Sequence, residues 1–397
     1  MLKRVCFVPP LWLPVPNVKG GAIETLITNL IDENEIEQKF EFTVISIYDE
    51  EAEKKSLNYK HTKFIYIRKT LLSRVLNKSW RLLRKIIGTN LPRYYEYFAL
   101  RKVKNGKFDF VIAEGNGDGN FKYLLNKYDK KRLLAHVHHH RLADEYTNEV
   151  FGNIVAISEY VKKEWVRTSA NRNVSVRVLM NGIDVDKFEK NISSSEKCNL
   201  RKQYNFSNDD FVLIFCGRII KEKGVLELVR AIESIEDENI KLLIVGSSNF
   251  AGAKPTEYVE KVYKLAEESK GKIQFSGYID NSDLYKYYKI ADAMVVPSIW
   301  EEAAGLVCIE AMASRVPLIV SRSGGMIEYA TSDVAIIVDK DKNLVNNIAD
   351  AVVKLKNDKD LYFKLQNNES NLVRRFSSTQ YYNNFVKLID DVSKQIN

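Results

Sequence analysis

The chain has 397 residues, 45% of them hydrophobic and 28% charged, a globular balance in a length too great for one ordinary core, so two domains are expected. No apolar run reaches the roughly eighteen residues of a spanning helix, which excludes a helical membrane protein. Net charge is +8 and the isoelectric point about 9.0, a basic balance that admits nucleic acid, a membrane surface or a phosphorylated ligand as partner.

Met1 to Val8 is too short an apolar start for a signal peptide and is broken by Pro9-Pro10, so it reads as a first core strand. Cys6, Cys198, Cys216 and Cys308 are scattered without metal spacing. Buried reduced thiols in a cytosolic chain are the expectation. After the loop 9–19 come Gly20-Gly21, then Ile23, Leu26, Ile27, Leu30 and Ile31 at helical spacing. Paired glycines at a strand end let backbone amides approach a ligand, although a plain turn uses them too. Strands follow at 42–47 and 64–67. This alternation predicts an α/β fold with doubly wound parallel sheets, ligands binding at the carboxyl ends of the strands.

From 68 to 104 lysine and arginine outnumber acids eleven to one, with Leu71, Leu72, Val75, Leu76, Trp80, Leu83, Ile86 and Ile87 interleaved. A basic amphipathic helix with aromatic residues suits an anionic leaflet without crossing it. A helix packed on its own sheet, with a solvated basic face, is the alternative. No nucleic-acid motif accompanies the charge, so no nucleic-acid partner is expected. A strand at 108–113 leads to Glu114 and a glycine-rich loop. Another, at 132–135, runs into His136-Val137-His138-His139-His140, which holds four of the five histidines. Adjacent imidazoles on a strand face opposite sides and no cysteine is near, so no metal is expected; histidines lining a polar loop are the plain alternative. Strand 154–157, a helix capped by Ser158, and strand 174–179 end at Asn181-Gly182-Ile183-Asp184, with Phe188 beyond. The polar stretch 191–197 reads as a core-free linker.

The second half repeats the alternation. Strand 211–216 meets Gly217-Arg218 and then Lys221-Glu222-Lys223-Gly224 before a helix. Arginine can fork onto two phosphate oxygens, and lysine adds a point charge at a helix mouth that already favours anions. Strands at 242–245 and 273–275 precede Gly277-Tyr278-Ile279. The apolar strand 293–296 then feeds Pro297-Ser298-Ile299-Trp300-Glu301-Glu302-Ala303-Ala304-Gly305-Leu306, and a helix continues through Ile309, Glu310 and Ala313. Amides at Gly305 and Leu306 would open that helix toward an anion. Glu302 belongs in the loop above the helix mouth and Glu310 a turn and a half inside. Carboxylates accept from hydroxyls rather than from phosphate, so the pair suits the two ends of a nucleotide-sugar.

The segment from Glu302 to Glu310 resembles the Glu-x7-Glu signature of retaining glycosyltransferase family 4. The strings Gly-Gly-Ala-x-Glu from Gly20, Asn-Gly-x-Asp…Phe from Asn181 and Gly-Arg…Lys-Gly from Gly217 are similar to further family elements. The resemblance implies a GT-B fold: two Rossmann-like domains facing across a cleft, with the helix 378–397 crossing back to the first. Residues 1–185 would bind the acceptor and 186–377 the nucleotide-sugar. It implies retaining transfer of a sugar, first of all from a UDP-sugar, to a hydroxyl of a glycan or lipid-linked acceptor in cell-surface polysaccharide or glycoconjugate synthesis. No cofactor is required, and the chain is placed in the cytoplasm, on the inner face of the membrane. Glu302, His138, Arg218 and Lys223 would carry catalysis. Gly21, Arg218, Lys223, Tyr278, Ile279, Glu302, Ala304, Gly305, Leu306 and Glu310 would hold the donor. Gly20, Gly21, His138 and His139 would meet the acceptor, with His136 or His139 as the alternative to His138. The segment Glu302-Ala303-Ala304-Gly305 departs from many relatives, which carry a bulkier or turn-forming residue before the glycine. A nucleotide-sugar epimerase and a non-catalytic membrane-associated scaffold are the rival readings.

Overall fold

The structure is a computed structural model describing residues 2–68, 70, 75–76, 79, 94–115, 120–170, 174–247 and 256–396. The chain divides into two compact units, Met1–Gly182 with Ser378–Asn397, and Ile183–Ser377.

Among the described residues the first unit holds one parallel sheet. Its strands are β1 (Lys3–Val8), β2 (Phe40–Ile47), β3 (Thr62–Ile67), β4 (Phe110–Glu114), β5 (Leu133–Val137), β6 (Asn153–Ala156) and β7 (Val176–Val178), in the order β3-β2-β1-β4-β5-β6-β7. Continuous apolar runs such as Val5-Cys6-Phe7 are fully buried because helices cover both faces. Phe7, Phe40 and Phe42 pack with Phe385 of the helix Ser378–Lys394, at centroid separations of 5.8, 5.6 and 6.1 Å. Tyr382 of that helix donates a 2.7 Å hydrogen bond to the buried Asn34, whose amide in turn closes on the Phe40 backbone.

The second unit holds β8 (Phe211–Cys216), β9 (Ile240–Val245), β10 (Ile273–Gly277), β11 (Ala293–Val296), β12 (Leu318–Ser321) and β13 (Ala335–Val338), again all parallel, in the order β10-β9-β8-β11-β12-β13. In each sheet the winding reverses once, between β1 and β4 and between β8 and β11. Chains leaving the two central strands diverge there, and the crevice between them is where open α/β sheets take ligands.

The stretch expected to be a linker is in part a helix, Ser194–Gln203. Ser193 caps it by accepting from the Glu196 amide, and Arg201 anchors it. Arg201 is 3% exposed and donates to the Ile290 carbonyl at 2.9 Å and to Asp292 at 2.8 Å. Polar composition concealed it because one buried guanidinium replaces the usual apolar stripe. Most of the basic segment 68–104 lies outside the described residues; its end is the helix Tyr94–Asn105. Among the described residues no helix is long and apolar enough to cross a membrane.

Candidate functional site

The second unit's reversal point gathers three loops. The β8 loop passes Gly217 and Arg218 and makes a short 3-10 turn over Lys221–Lys223 before the helix Val225–Ser234. Gly224 sits between them at φ 68°, and a Cβ there would lie 2.0 Å from the Pro297 carbonyl oxygen, so only glycine permits this approach to the β11 loop. The Glu222 carbonyl accepts from the Ile299 and Trp300 amides at 3.0 and 3.3 Å. On the other side the β12 loop grips the same segment. Ser321 donates to the Ser298 carbonyl at 2.6 Å, the Glu302 amide donates to Ser323 at 3.0 Å, and the Gly325 amide donates to the Glu302 carbonyl at 2.7 Å.

Glu302 is thereby fixed from backbone to carboxylate. Its Oε1 accepts from Lys223 Nζ at 2.7 Å and from the buried Ser298 hydroxyl at 2.6 Å. Its other oxygen has no protein partner among the described residues. Gly305, at the mouth of the helix Leu306–Ala313, is followed by Leu306 and Val307, whose amides find no acceptor among the described residues. Such a helix end carries partial positive charge. Ala304 and Leu306, both half-buried, flank Gly305. Cys308, fully buried one turn in, feels the charges of Glu302, Lys223 and Glu310.

Glu310 lies inside that helix. Its Oε2 accepts from the fully buried Tyr288 hydroxyl at 2.8 Å. Burial pushes the carboxyl up to about 7, against the Tyr288 hydrogen bond and the charge of Lys187, which hold it down. Lys187 itself is lowered by burial, opposed by Glu310, Asp184 and Asp280. Asp280 follows Tyr278 and Ile279. Tyr278 is 67% exposed and Ile279 half-buried beyond β10, two strands from β8. Arg218 is exposed at the end of β8, and its side chain makes no hydrogen bond or ion pair among the described residues. The structure therefore joins Lys223, Glu302, Gly305, Leu306 and Glu310 in one place, with Arg218 exposed at the end of β8 and Tyr278 exposed beyond β10.

In the first unit the reversal point carries another cluster. Gly20 and Gly21 have φ of 78° and 102°, and Gly21 precedes the helix Ala22–Glu37. Glu24 folds back so closely that a Cβ on Gly21 would lie 2.2 Å from its Oε2. Burial raises the Glu24 carboxyl, and the Glu114 charge adds to the rise. Glu114 ends β4 in register with His136 of β5. Its Oε2 meets His136 Nδ1 at 2.9 Å and His138 Nε2 at 2.6 Å. Burial would raise Glu114, but the two imidazoles outweigh it and hold the carboxyl down at about 2. Burial and the neighbouring His136 push His138 down to about 4, against the pull of Glu114. His139 is exposed on the following loop.

Adjacent histidines alternate faces, but His136 and His138 are two apart and share one, with ring centroids 4.0 Å apart. Together with Glu114 they bring three metal-ligating atoms within 4.8 Å of one another. The sequence reading missed Glu114, Lys187, Ser298, Ser323 and Tyr288. Strand register would have paired Glu114 with the histidines, and Lys187 sits within the Asn181…Phe188 string. Tyr288 has no local signal, because its partner is 22 residues away.

Two doubly wound parallel α/β units, each with its polar cluster at the reversal point, make up the GT-B architecture. The fold matches that of Anabaena HepE, solved in complex with UDP, with a TM-score of 0.72 and 16% identity over 98% of this chain and 100% of that one. Residues 196–372 match the family described as glycosyl transferases group 1. An uncharacterized glycosyltransferase of Methanocaldococcus jannaschii is 34% identical over 46% of this chain and 45% of its own length. The lipopolysaccharide 1,2-N-acetylglucosaminetransferase of Salmonella typhimurium is 28% identical over 60% of this chain and 61% of its own. These matches thus span about half of each relative.

Proposed function

We propose that the protein is a retaining glycosyltransferase of family 4, moving a sugar from a nucleotide-diphosphate sugar to an acceptor hydroxyl in polysaccharide or glycoconjugate synthesis. The observation that carries this reading is the Lys223–Glu302 pair at 2.7 Å beside the Gly305 helix mouth, with Glu310 inside the same helix. A cation and free amides suit a departing diphosphate, while two acids suit hydroxyls. HepE was solved with UDP, which makes a UDP-sugar the first donor to try.

In this mechanism the bond from the anomeric carbon to the diphosphate oxygen breaks as negative charge grows on the leaving group. Arg218, Lys223 and the amides of Gly305 and Leu306 stabilise that charge, each such donor being worth about 3–4 kcal/mol in comparable sites. Lys223 exchanges its Glu302 partner for phosphate. Glu302 then accepts from hydroxyls of the transferred sugar and Glu310 from the ribose, while the backbone at Tyr278 and Ile279 meets the base and Ala304 shapes the pocket floor. In the first unit Gly20, Gly21, His138 and His139 meet the acceptor and the reacting sugar. The acceptor hydroxyl attacks from the face the diphosphate leaves, passing its proton to the leaving oxygen, so configuration is kept. This scheme routes no step through a metal.

A thermal-shift panel of UDP-, GDP- and ADP-sugars, followed by acceptor-dependent release of the nucleotide and NMR of the product anomer, tests the proposal. Free sugar released without acceptor would indicate an epimerase-like reaction, and no nucleotide affinity a non-catalytic scaffold. The basic stretch 68–104 is proposed to hold the protein on an anionic membrane surface. Flotation with phosphatidylglycerol vesicles tests this, and failure to float at moderate salt removes it.

A further inference from the structure

We infer that Glu114 is a positioning residue that fixes His138 as the Nε2–H tautomer, so that Nδ1 stands as a bare hydrogen-bond acceptor for a sugar hydroxyl. The functional half of this inference rests on the glycosyltransferase reading above; the tautomer does not.

An ionised carboxylate only accepts hydrogen bonds. Each ring nitrogen facing Glu114 Oε2 must therefore carry a hydrogen, which places one on His136 Nδ1, 2.9 Å away, and one on His138 Nε2, 2.6 Å away. The side chains are 2% exposed for Glu114, 3% for His136 and 6% for His138, so water does not compete for these bonds. Burial also disfavours a second proton on the His138 ring, whose side chain is 6% exposed. With Nε2 protonated and the ring neutral, Nδ1 keeps its lone pair.

The two histidines then differ in one respect. His136 Nε2 is enclosed and has no partner among the described residues, so it serves the cluster alone. His138 Nδ1 is not enclosed in this way and has no partner among the described residues. A lone pair there accepts from a hydroxyl and repels a phosphate oxygen. The Glu114 carboxylate at Nε2 adds negative potential that also favours a neutral polyol over an anion. The ligand chemistry that fits this point is a sugar hydroxyl.

The test is histidine 15N–1H correlation spectroscopy on the unliganded full chain at pH 7, with His138→Gln used for assignment. The expected spectrum has His138 protonated at Nε2 and bare at Nδ1. In Glu114→Gln, whose amide can donate as well as accept, this single tautomer is lost. Transfer by that variant then falls about tenfold in kcat/KM, the effect of one lost hydrogen bond of ordinary strength. Glu114→Asp, which keeps a carboxylate, restores part of both. Protonation of His138 at Nδ1, or at both nitrogens, overturns the inference from the wild-type spectrum alone, even if the variants fail to fold. Visible Co²⁺ absorbance that is lost in Glu114→Gln also overturns it, because the three groups would then be metal ligands. The stated tautomer in a protein that transfers no sugar supports the positioning and removes the proposed function instead.

Discussion

Replacing Tyr288 by Phe deletes one oxygen behind Glu310, and the consequence can be worked through. The Tyr288 hydroxyl donates to Glu310 Oε2 at 2.8 Å in a place where Tyr288 is fully buried. A hydrogen bond to an ionised group contributes about 1.5–3 kcal/mol and one between neutral groups about 1 kcal/mol. Losing the bond therefore penalises the carboxylate more than the carboxylic acid, by about 1.4 kcal/mol, and raises the titration midpoint by roughly one unit. Wild-type Glu310 titrates at about 7, so the variant should titrate near 8. Because the folded value already lies above the ordinary carboxyl range, the native state holds a proton the unfolded chain has released. Stability contributed by this group is present at low pH and lost as pH rises through its folded midpoint. Tyr288→Phe should accordingly cost more stability at pH 8.5 than at pH 5. Glutamate-selective 13C labelling and a carboxyl titration measure the midpoint directly, and urea unfolding at the two pH values measures the rest. An unchanged or lowered midpoint would refute the assignment of Tyr288 as the group that keeps Glu310 ionisable.

The remaining predictions concern other parts of the same unit. Arg218→Ala and Lys223→Ala should each reduce sugar transfer at least about tenfold with the circular dichroism spectrum unchanged; unaltered turnover in either removes that residue from the mechanism. Glu369 is fully buried with neither carboxyl oxygen partnered among the described residues, and burial drives it well above its ordinary range. Glu369→Met should therefore stabilise the protein by about 1–3 kcal/mol, the usual penalty of an unmet buried polar group, and a lower urea midpoint would contradict this. Gly224→Ala must accept a left-handed backbone and displace the Pro297 carbonyl. A loss of at least about 1–2 kcal/mol is expected, together with weaker nucleotide binding as the Glu302 loop shifts; calorimetry reads both.

What could be read from the amino acids alone was what depends on near neighbours in the chain. The strands of both sheets are legible as short apolar runs, since a parallel strand buried on both faces has no polar side to show. Glu302 falls in the loop and Glu310 in the helix because the change from an apolar strand to helical spacing, with Gly305 between, is local. The groups that tune them are not. Tyr288 reaches Glu310 from another helix, and Lys187 reaches it from before the second sheet begins. The histidine run shows a subtler miss. Neighbouring histidines face apart, whereas the pleat unites residues two apart and brings Glu114 across from β4. The helix Ser194–Gln203 escaped because its anchor is Arg201, a residue type that ordinarily signals solvent.

The helix Ser378–Lys394 belongs to the unit whose sheet is completed some 200 residues earlier. During synthesis, Phe7, Phe40 and Phe42 emerge from the ribosome long before Phe385 exists to cover them. The nascent first unit must wait with an aromatic patch uncovered while the whole of Ile183–Ser377 is translated. Loss of the last helix to a premature stop codon would therefore injure the half of the molecule made first and spare the half made later.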